Sequence, residues 1–522
     1  MHEWLSGGVS PCQGEGRGFE SRLVLFFVIK MNMSGGNGMI SQHEERNLSM
    51  VMDFYELTMS NGYFVNAKEQ ELVVFDVFYR SNPDNGGYSI FTGLEQIIDY
   101  ILNLHFSEED IAYLRQQNIF REEFLEYLAN FQFTGDIYAL KEGTVMYPYE
   151  PIITVVAPII DAQLIETAIL LEINHQSLVA TKARRICNAA GDRLVSDFGA
   201  RRAHNMDAAI YGARAAYIGG AASTATVLAG QLFGIPVSGT MAHSWVMYFS
   251  DEYTAFVKYA QMYPDATVLL VDTYDVLHSG VPHAIRVAKE VLEPMGKRLK
   301  GIRLDSGDLA YLSKKARRML DEAGLCDCMI VASNSLDEFT IQSLIEQGAC
   351  IDSFGVGERL ITSKSEPVFG AVYKIAAVQK NGVFEPRIKI SENVEKITNP
   401  GFKMLYRVYD KENKAIADLI ACREEKLEDG KPTAYIDPGK PWKNRSFENC
   451  TFRPLLEPVF LNGKLVRERR SAAEIRNYVS YQLKEEIWEE EQRFVNPHVH
   501  YLDMTPDYYK LKTELLKTAK ES

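Results

Sequence analysis

The chain has 522 residues, more than one ordinary core covers, so two or three domains are expected. Hydrophobic residues make up 46% of it and charged residues 24%, the balance of a globular protein. A net charge of −14 argues against nucleic acid or another polyanion as partner, while leaving room for a local basic pocket that takes a small phosphorylated ligand.

At the N-terminus, LVLFFVI (23–29) is too short against the ~20 apolar residues that span a bilayer, so no membrane span is expected. No A-x-A cleavage pattern follows it. GRGFESRL (16–23) reads like a translated transfer-RNA arm. Residues 1–38 are therefore expected to be a non-native or disordered extension, with Met31, Met33 or Met39 the true start. The cysteines (Cys12, Cys187, Cys326, Cys328, Cys350, Cys422 and Cys450) are scattered, and Cys326-x-Cys328 has no second pair at zinc spacing. Buried free thiols in a reducing, cytoplasmic setting are expected rather than a zinc site.

From about residue 40 the elements are mixed. MVMDFYELTMSNGYF reads as a short amphipathic helix, VVFDVFYR as a strand, and GLEQIIDYILNL and REEFLEYLANF as helices. PIITVVAPI reads as an edge strand because prolines bound it. AQLIETAILLEINHQSLVATKARRI then has apolar residues at helical spacing with no Gly or Pro, which predicts one long helix.

Between residues 193 and 375 short β-rich runs recur, most followed by helical stretches at intervals of about 20–35 residues, the size of a strand–helix unit. They end in LVSDFGARR, AAYIGGAAST, GIPVSGTMAH, TVLLVDTYDV, GIRLDSGDL, MIVASNSLDE, IDSFGVGERL and GAVYKIAAV. Continuous apolar runs with helical crossovers imply a parallel sheet buried on both faces, and roughly eight units predict an irregular (β/α) barrel. Beyond 380 the pattern turns to hairpins, MLYRVYD-KENK-AIADLIA being the clearest, then a Pro/Gly-rich loop and a charged helix, KEEIWEEEQRF.

Nearly every one of these strand ends carries polar or glycine residues: Asp197 and Arg201, Ser223, His243, Asp272, Asp305 and Asp308, Ser333 and Asn334, Gly355 and Gly357. Parallel strands deliver their C-terminal ends to one rim, so residues from distant parts of the chain gather there. FGVGERLITSKSEP (354–367) could cradle a phosphate on backbone N–H groups, with Thr362 and Ser363 adding hydroxyls, or be a plain turn. Arg303 and Asp305 alternate onto the same side of their strand. They form an internal ion pair, or Arg303 clamps an anion while Asp305 and Asp308 hold Mg²⁺ or ribose hydroxyls. In DFGARRAH, Phe198 is core or a flat platform for a heteroaromatic ring, beside Arg201 as a phosphate guanidinium or a solvated cation. His243 in GTMAHSWV lacks a metal-binding partner at H-x-x-H spacing; packing, general base and phosphate-accepting nucleophile remain.

The series DFYELTMSNGYF, FTGLEQ, FQFTGDIYAL, ETAILLEINHQSLVATKA, DFGARRAH, SGTMAHSWV, LVDTYDV, GIRLDSGDL, VASNSLDE, FGVGERLITS and AVYKIAAV closely resembles the nicotinate phosphoribosyltransferase family, in order, from about residue 48 to past 460. The resemblance implies an enzyme of NAD salvage that joins nicotinate to phosphoribosyl pyrophosphate, giving nicotinate mononucleotide and pyrophosphate. ATP hydrolysis would be coupled through phosphorylation of His243. It implies an α/β chain in which an irregular barrel (191–378) packs with an α+β domain built from residues 39–190 and 379–522, working as a homodimer with shared sites. By motif match, Tyr55 of the partner subunit and Phe198 would sandwich the pyridine ring, and Thr240 and Arg303 would contact nicotinate. Arg201, Asp308, Ser333, Asn334, Gly355, Gly357 and Thr362 would hold phosphoribosyl pyrophosphate. Asp305 would be catalytic, with Asp308 beside it on Mg²⁺.

A nicotinamide-specific relative carries a carboxylate near the strand end matching GGAAST, to accept the amide N–H. Here no Asp or Glu occurs between Gly219 and Gly239, and Ser223 stands in that neighbourhood. A hydroxyl with Thr240 and Arg303 suits a carboxylate ligand, which accepts but cannot donate. Nicotinamide remains the alternative substrate, and a non-catalytic binder of nicotinate mononucleotide the alternative class. A Schiff-base aldolase would need a lysine at a strand end, for which Lys374 is the one candidate.

Overall fold

A computed structural model describes residues 46–390, 393, 396–442 and 445–521. The expected early start, within residues 1–38, lies outside them. The described chain divides into two compact units, one of residues 182–364, the other of described residues within 46–181 and 365–521. The first division falls inside the helix Glu166–Ala190, which forms as a single 25-residue element.

The unit built from both chain ends is organised on a seven-stranded sheet in which every neighbouring pair is antiparallel. Its order runs Val383–Pro386, Val372–Lys380, Leu72–Phe78, Ile153–Pro158, Asp136–Ala139, Glu457–Leu461, Lys464–Leu465. Leu72–Phe78 is buried along nearly its whole length, as its apolar run requires; its one charge, Asp76, is paired with buried Lys403 and accepts from Thr154 Oγ1 at 2.6 Å.

Two expectations change here. Ile153–Pro158 pairs on both sides and is an interior strand; Pro158 is tolerated because it occupies the last residue pair, where no further ladder N–H is needed. The GAVYKIAAV run, expected to end the barrel, forms Val372–Lys380 and pairs antiparallel with Leu72–Phe78. An apolar run announces a buried strand without saying which sheet buries it. Lys374 thus sits opposite Asp76 in this sheet, with Nζ 2.7 Å from the Tyr373 carbonyl, and is no barrel strand-end lysine.

The hairpin Lys403–Tyr409 with Ala415–Cys422 forms as the sequence indicated. The charged KEEIWEEEQRF stretch does not end the fold as a helix. It breaks into short turns that bury Glu486 and Glu491, and the last helix is Pro506–Glu521. Arg467 and Arg469 bind the buried carboxylate of Glu95, tying this C-terminal segment to the helix Leu94–Asn103.

The other unit holds a six-stranded parallel sheet in the order Ser223–Thr224, Leu194–Asp197, Ser353–Val356, Met329–Ala332, Gly301–Leu304, Val268–Leu270. All its ladders are parallel. Val237 adds a single parallel bridge to Thr224. Of this sheet's six strands the first in chain order, Leu194–Asp197, pairs with the last, Ser353–Val356. Among the described residues no ladder joins Val237 to Val268–Leu270, so hydrogen bonding does not close the sheet on itself. Five of the six described cysteines are free thiols; Cys326, expected to be one, is not among them. Among the described residues no helix is long and apolar enough to cross a membrane.

Candidate active site

The register of the parallel sheet decides which side chains meet. Arg303 stands opposite Val331 and Leu270, Val331 opposite Ser353, and Ser196 opposite Gly355 and Ser223. Because side chains alternate, Arg303, Asp305, Ser333, Gly355, Ser196 and Ser223 share one face at the C-terminal strand ends.

Arg303 is the hub of that face. Its Nε donates to Ser333 Oγ at 2.9 Å, Nη1 to Thr240 Oγ1 at 3.0 Å and the Met241 carbonyl at 3.4 Å, and Nη2 to Asp305 Oδ1 at 3.0 Å. Ser333 also donates to Asp305. The guanidinium carbon lies 5.8 Å from the centre of the Phe198 ring, within cation–π range. The Arg303–Asp305 pair is formed, yet it is partly open to solvent, at 14% and 26% exposure. One of the five guanidinium N–H groups has no acceptor among the described residues, which leaves an anion a place to bind.

His243 opens the helix His243–Tyr248. Its Nε2 lies 3.2 Å from Oδ1 of Asp272, whose side chain is buried while the imidazole is 40% exposed. Oδ2 of Asp272 accepts from the Asp305 backbone N–H at 3.2 Å and from Ser306 Oγ at 2.6 Å. A carboxylate only accepts, so Nε2 is the nitrogen that donates to it, and the neutral ring carries its lone pair on Nδ1. The sequence marks Asp272 as a strand-end carboxylate without a role; its contacts make it the link between His243 and the Asp305 turn.

Phe198 is held from below. Asp197 is buried and accepts from the Gly199 N–H and from Thr224 Oγ1, both at 2.8 Å; burial pushes its carboxyl up, against those bonds. The Phe198 N–H donates to the Val356 carbonyl at 2.8 Å. A Cβ on Gly355 would lie 2.4 Å from the ring, so this glycine exists to seat Phe198. Ser223 Oγ lies 2.9 Å from Ser196 Oγ and 2.6 Å from Ser238 Oγ, a buried row of three hydroxyls of which the sequence had singled out one.

Other expected residues lie at the edges of this cluster. Arg201 is exposed in the turn Ala200–Arg202. Asp308 caps the helix Leu309–Glu322, its Oδ1 accepting from the Tyr311 N–H at 3.0 Å. Asn334 has φ 86°, a left-handed value that asparagine tolerates. Gly357 precedes the short helix Glu358–Ile361, and Thr362 Oγ1 donates to the Glu358 carbonyl at 2.8 Å. Tyr55 belongs to the other compact unit, on the helix Phe54–Val65, half exposed beside Glu166; burial and that carboxylate hold its hydroxyl well above the usual tyrosine range.

The family model described as "Nicotinate phosphoribosyltransferase (NAPRTase) family" matches residues 194–413, and models of the family's N-terminal and C-terminal domains match residues 50–174 and 402–512. The nicotinate phosphoribosyltransferase of Bacillus subtilis is 44% identical over 480 residues, 91% of this chain and 97% of that one. This chain belongs to the nicotinate phosphoribosyltransferase family. A nicotinate phosphoribosyltransferase of Mycobacterium tuberculosis is 40% identical over 422 residues, covering 80% of this chain and 83% of its own. The crystal structure of human nicotinic acid phosphoribosyltransferase matches with a TM-score of 0.79 at 27% identity, over 90% of this chain and 100% of that one. The nicotinate phosphoribosyltransferase match at 194–413 contains every residue of the Arg303 and His243 clusters.

Proposed function

We propose that this enzyme joins nicotinate to phosphoribosyl pyrophosphate and drives the reaction with ATP through a phosphohistidine at His243. The convergence of Thr240, Asp305, Ser333 and Phe198 on Arg303 carries the reading. The carboxylate of nicotinate accepts from Arg303 and Thr240, and its ring lies against Phe198. The row at Ser196, Ser223 and Ser238 places hydroxyls, and no carboxylate to accept an amide N–H, at that strand end, which favours nicotinate over nicotinamide.

The pyridine nitrogen forms a bond to the anomeric carbon of ribose as the carbon–oxygen bond to pyrophosphate breaks, the electron pair leaving with pyrophosphate. The protein aligns the reactants and offsets developing charge; Asp305, anchored by Arg303 and Ser333, faces the positive sugar. Arg201 and the Gly355–Thr362 segment hold the phosphates. Asp305 and Asp308 each keep a second oxygen without a donor among the described residues, so both suit Mg²⁺, which when bound would screen the departing pyrophosphate. In the energising step Nδ1 of His243 attacks the γ-phosphorus of ATP, the bond to the β-phosphate oxygen breaks, and ADP leaves. The phosphoryl group then alters substrate affinity, and its hydrolysis resets the site.

The pairing of the first strand with the last supports reading the parallel sheet as an irregular barrel whose seam lies between Val237 and Val268. Exposed Phe54, Tyr55 and Met59 support a homodimer in which Tyr55 of the partner subunit covers the pyridine ring. Free thiols at Cys187, Cys328, Cys350, Cys422 and Cys450 fit a cytoplasmic protein. The test supplies phosphoribosyl pyrophosphate and Mg²⁺ with nicotinate or nicotinamide, with and without ATP, to wild type and His243→Ala. Preference for nicotinate and loss of ATP stimulation in the variant are expected; preference for nicotinamide, or full stimulation without His243, would overturn the reading.

A further inference from the structure

His243 and Asp272 meet through their side chains, and the segments that follow them meet a second time. Beyond His243 the chain enters the helix Glu252–Met262, which Trp245 Nε1 holds against the His243 helix by donating to the Ala255 carbonyl at 3.1 Å. Beyond Asp272 it enters the single π-helical turn Val276–Gly280. That turn lies hard against the strand end, since a Cβ on Gly280 would stand 1.9 Å from the Val271 carbonyl oxygen. Glu252 ties the two segments. Its Oε2 accepts from Ser279 Oγ at 2.5 Å, and His283 Nδ1, on the next helical turn, lies 2.9 Å from the same oxygen.

Stability alone does not account for this tie. The Glu252 side chain is 2% exposed, and its Oε1 is buried with no donor among the described residues. A buried carboxylate oxygen left bare lowers stability, and an apolar side chain of similar volume would fill the space without that cost. Neither Glu252 nor Ser279 is among the partners of Arg303, so the tie does not serve the Arg303 cluster directly. What it fixes is the spacing of the two segments that carry His243 and Asp272.

We infer that Glu252 is a positioning residue for His243: by holding Ser279 and His283 it sets the gap across which Nε2 meets Asp272, and so keeps the lone pair of Nδ1 available to a phosphoryl group. The inference rests on the reading of His243 as phosphoryl acceptor, and the test separates the two. Glu252→Met keeps the volume and removes the acceptor, Ser279→Ala removes one bond, and Glu252→Gln keeps an amide oxygen that accepts both. Tyr253→Phe, which loses its hydroxyl bond to Glu290 on the same helix, is the control. Nitrogen NMR shifts of the His243 imidazole, assigned by their loss in His243→Gln, report the tautomer. Labelling from γ-labelled ATP reports phosphoryl transfer, and melting temperature reports the fold. Glu252→Met should mix the tautomers and slow labelling at saturating ATP about tenfold, and Ser279→Ala about threefold, with the nicotinate KM of the ATP-free reaction unchanged. The melting temperature of Glu252→Met should not fall, and Glu252→Gln and Tyr253→Phe should label as wild type does. The inference is overturned if Glu252→Met and Ser279→Ala keep one tautomer and the wild-type labelling rate, if Glu252→Gln is as slow as Glu252→Met, or if labelling, the ATP-free reaction and the melting temperature all fall together. If wild type takes no label while Glu252→Met mixes the tautomers, the brace stands and the phosphohistidine falls.

Discussion

Nε2 of His243 and Oδ1 of Asp272 lie 3.2 Å apart, and the other oxygen of Asp272 holds the turn at Asp305 and Ser306. One buried carboxylate therefore sets both the tautomer of the imidazole and the position of the sugar-facing aspartate. Asp272→Asn keeps the shape but replaces an obligatory acceptor by a group that also donates, so Nδ1 is no longer fixed as the lone-pair nitrogen. Acid-labile labelling of His243 from ATP should slow by roughly 10²-fold or more, with a smaller loss in the ATP-free reaction. Equal losses in both would show that Asp272 acts only through the Asp305 turn.

Arg303 directs donors to Ser333, Thr240, Met241 and Asp305 from one rigid plane. A lysine keeps the charge but not the fork. Arg303→Lys should raise the nicotinate KM by about 10–100-fold, the equivalent of one or two charge-assisted hydrogen bonds, while the KM for phosphoribosyl pyrophosphate moves much less. Steady-state kinetics with each substrate varied in turn decides it.

Much of this site was legible because parallel strands repeat one device: an apolar run ending in Asp, Ser, His or Gly. Alternation alone placed Arg303 and Asp305 on one face. The Arg303–Thr240 contact needed the fold, since 63 residues separate the pair. Local chemistry says less elsewhere. An aspartate three residues before a helical N–H caps the helix as readily as it binds metal, and Asp308 caps through Oδ1. Gly355 reads as a phosphate glycine, and the fold adds a demand that the sequence does not show: a Cβ there would meet Phe198. Val372–Lys380 carries the apolar pattern of a parallel strand and still joins an antiparallel sheet, because its partner Leu72–Phe78 is three hundred residues upstream, at roughly the other end of the chain.

Gly355→Ala tests the seat of the ring. The new methyl would stand 2.4 Å from Phe198, and the opposing atoms are part of the proposed pyridine platform. Overpacking of this kind costs about 1–3 kcal/mol. The melting temperature should fall and the nicotinate KM should rise. Gly62→Ala, in the helix Phe54–Val65 where a Cβ meets nothing within 4 Å, should instead stabilise by roughly 0.5–1 kcal/mol.

A buried cluster in the other unit predicts how stability follows pH. Arg407 donates to both oxygens of Asp418, at 2.8 and 2.7 Å, and His500 Nδ1 lies 3.0 Å from Glu491 Oε1. Glu150 Oε2 accepts from the Tyr147 N–H at 2.9 Å, while its buried Oε1 has no donor among the described residues. Burial, then the nearby Asp418 charge, pushes the Glu150 carboxyl well above its usual range, which favours its protonated form beside Asp418. Burial alone would lower His500, but Asp418 and Glu491 outweigh it and raise the imidazole. Both groups bind protons more tightly folded than unfolded. Their contribution is thus complete below the unfolded values and is lost as pH rises through the folded ones. Melting temperature should fall as pH climbs from the ordinary carboxylate range through the histidine range and beyond. Glu150→Gln keeps a donor toward Asp418 without a proton to lose, so its melting temperature should decline less steeply over the same interval. A parallel decline in wild type and variant would mean that Glu150 is not the proton the fold retains.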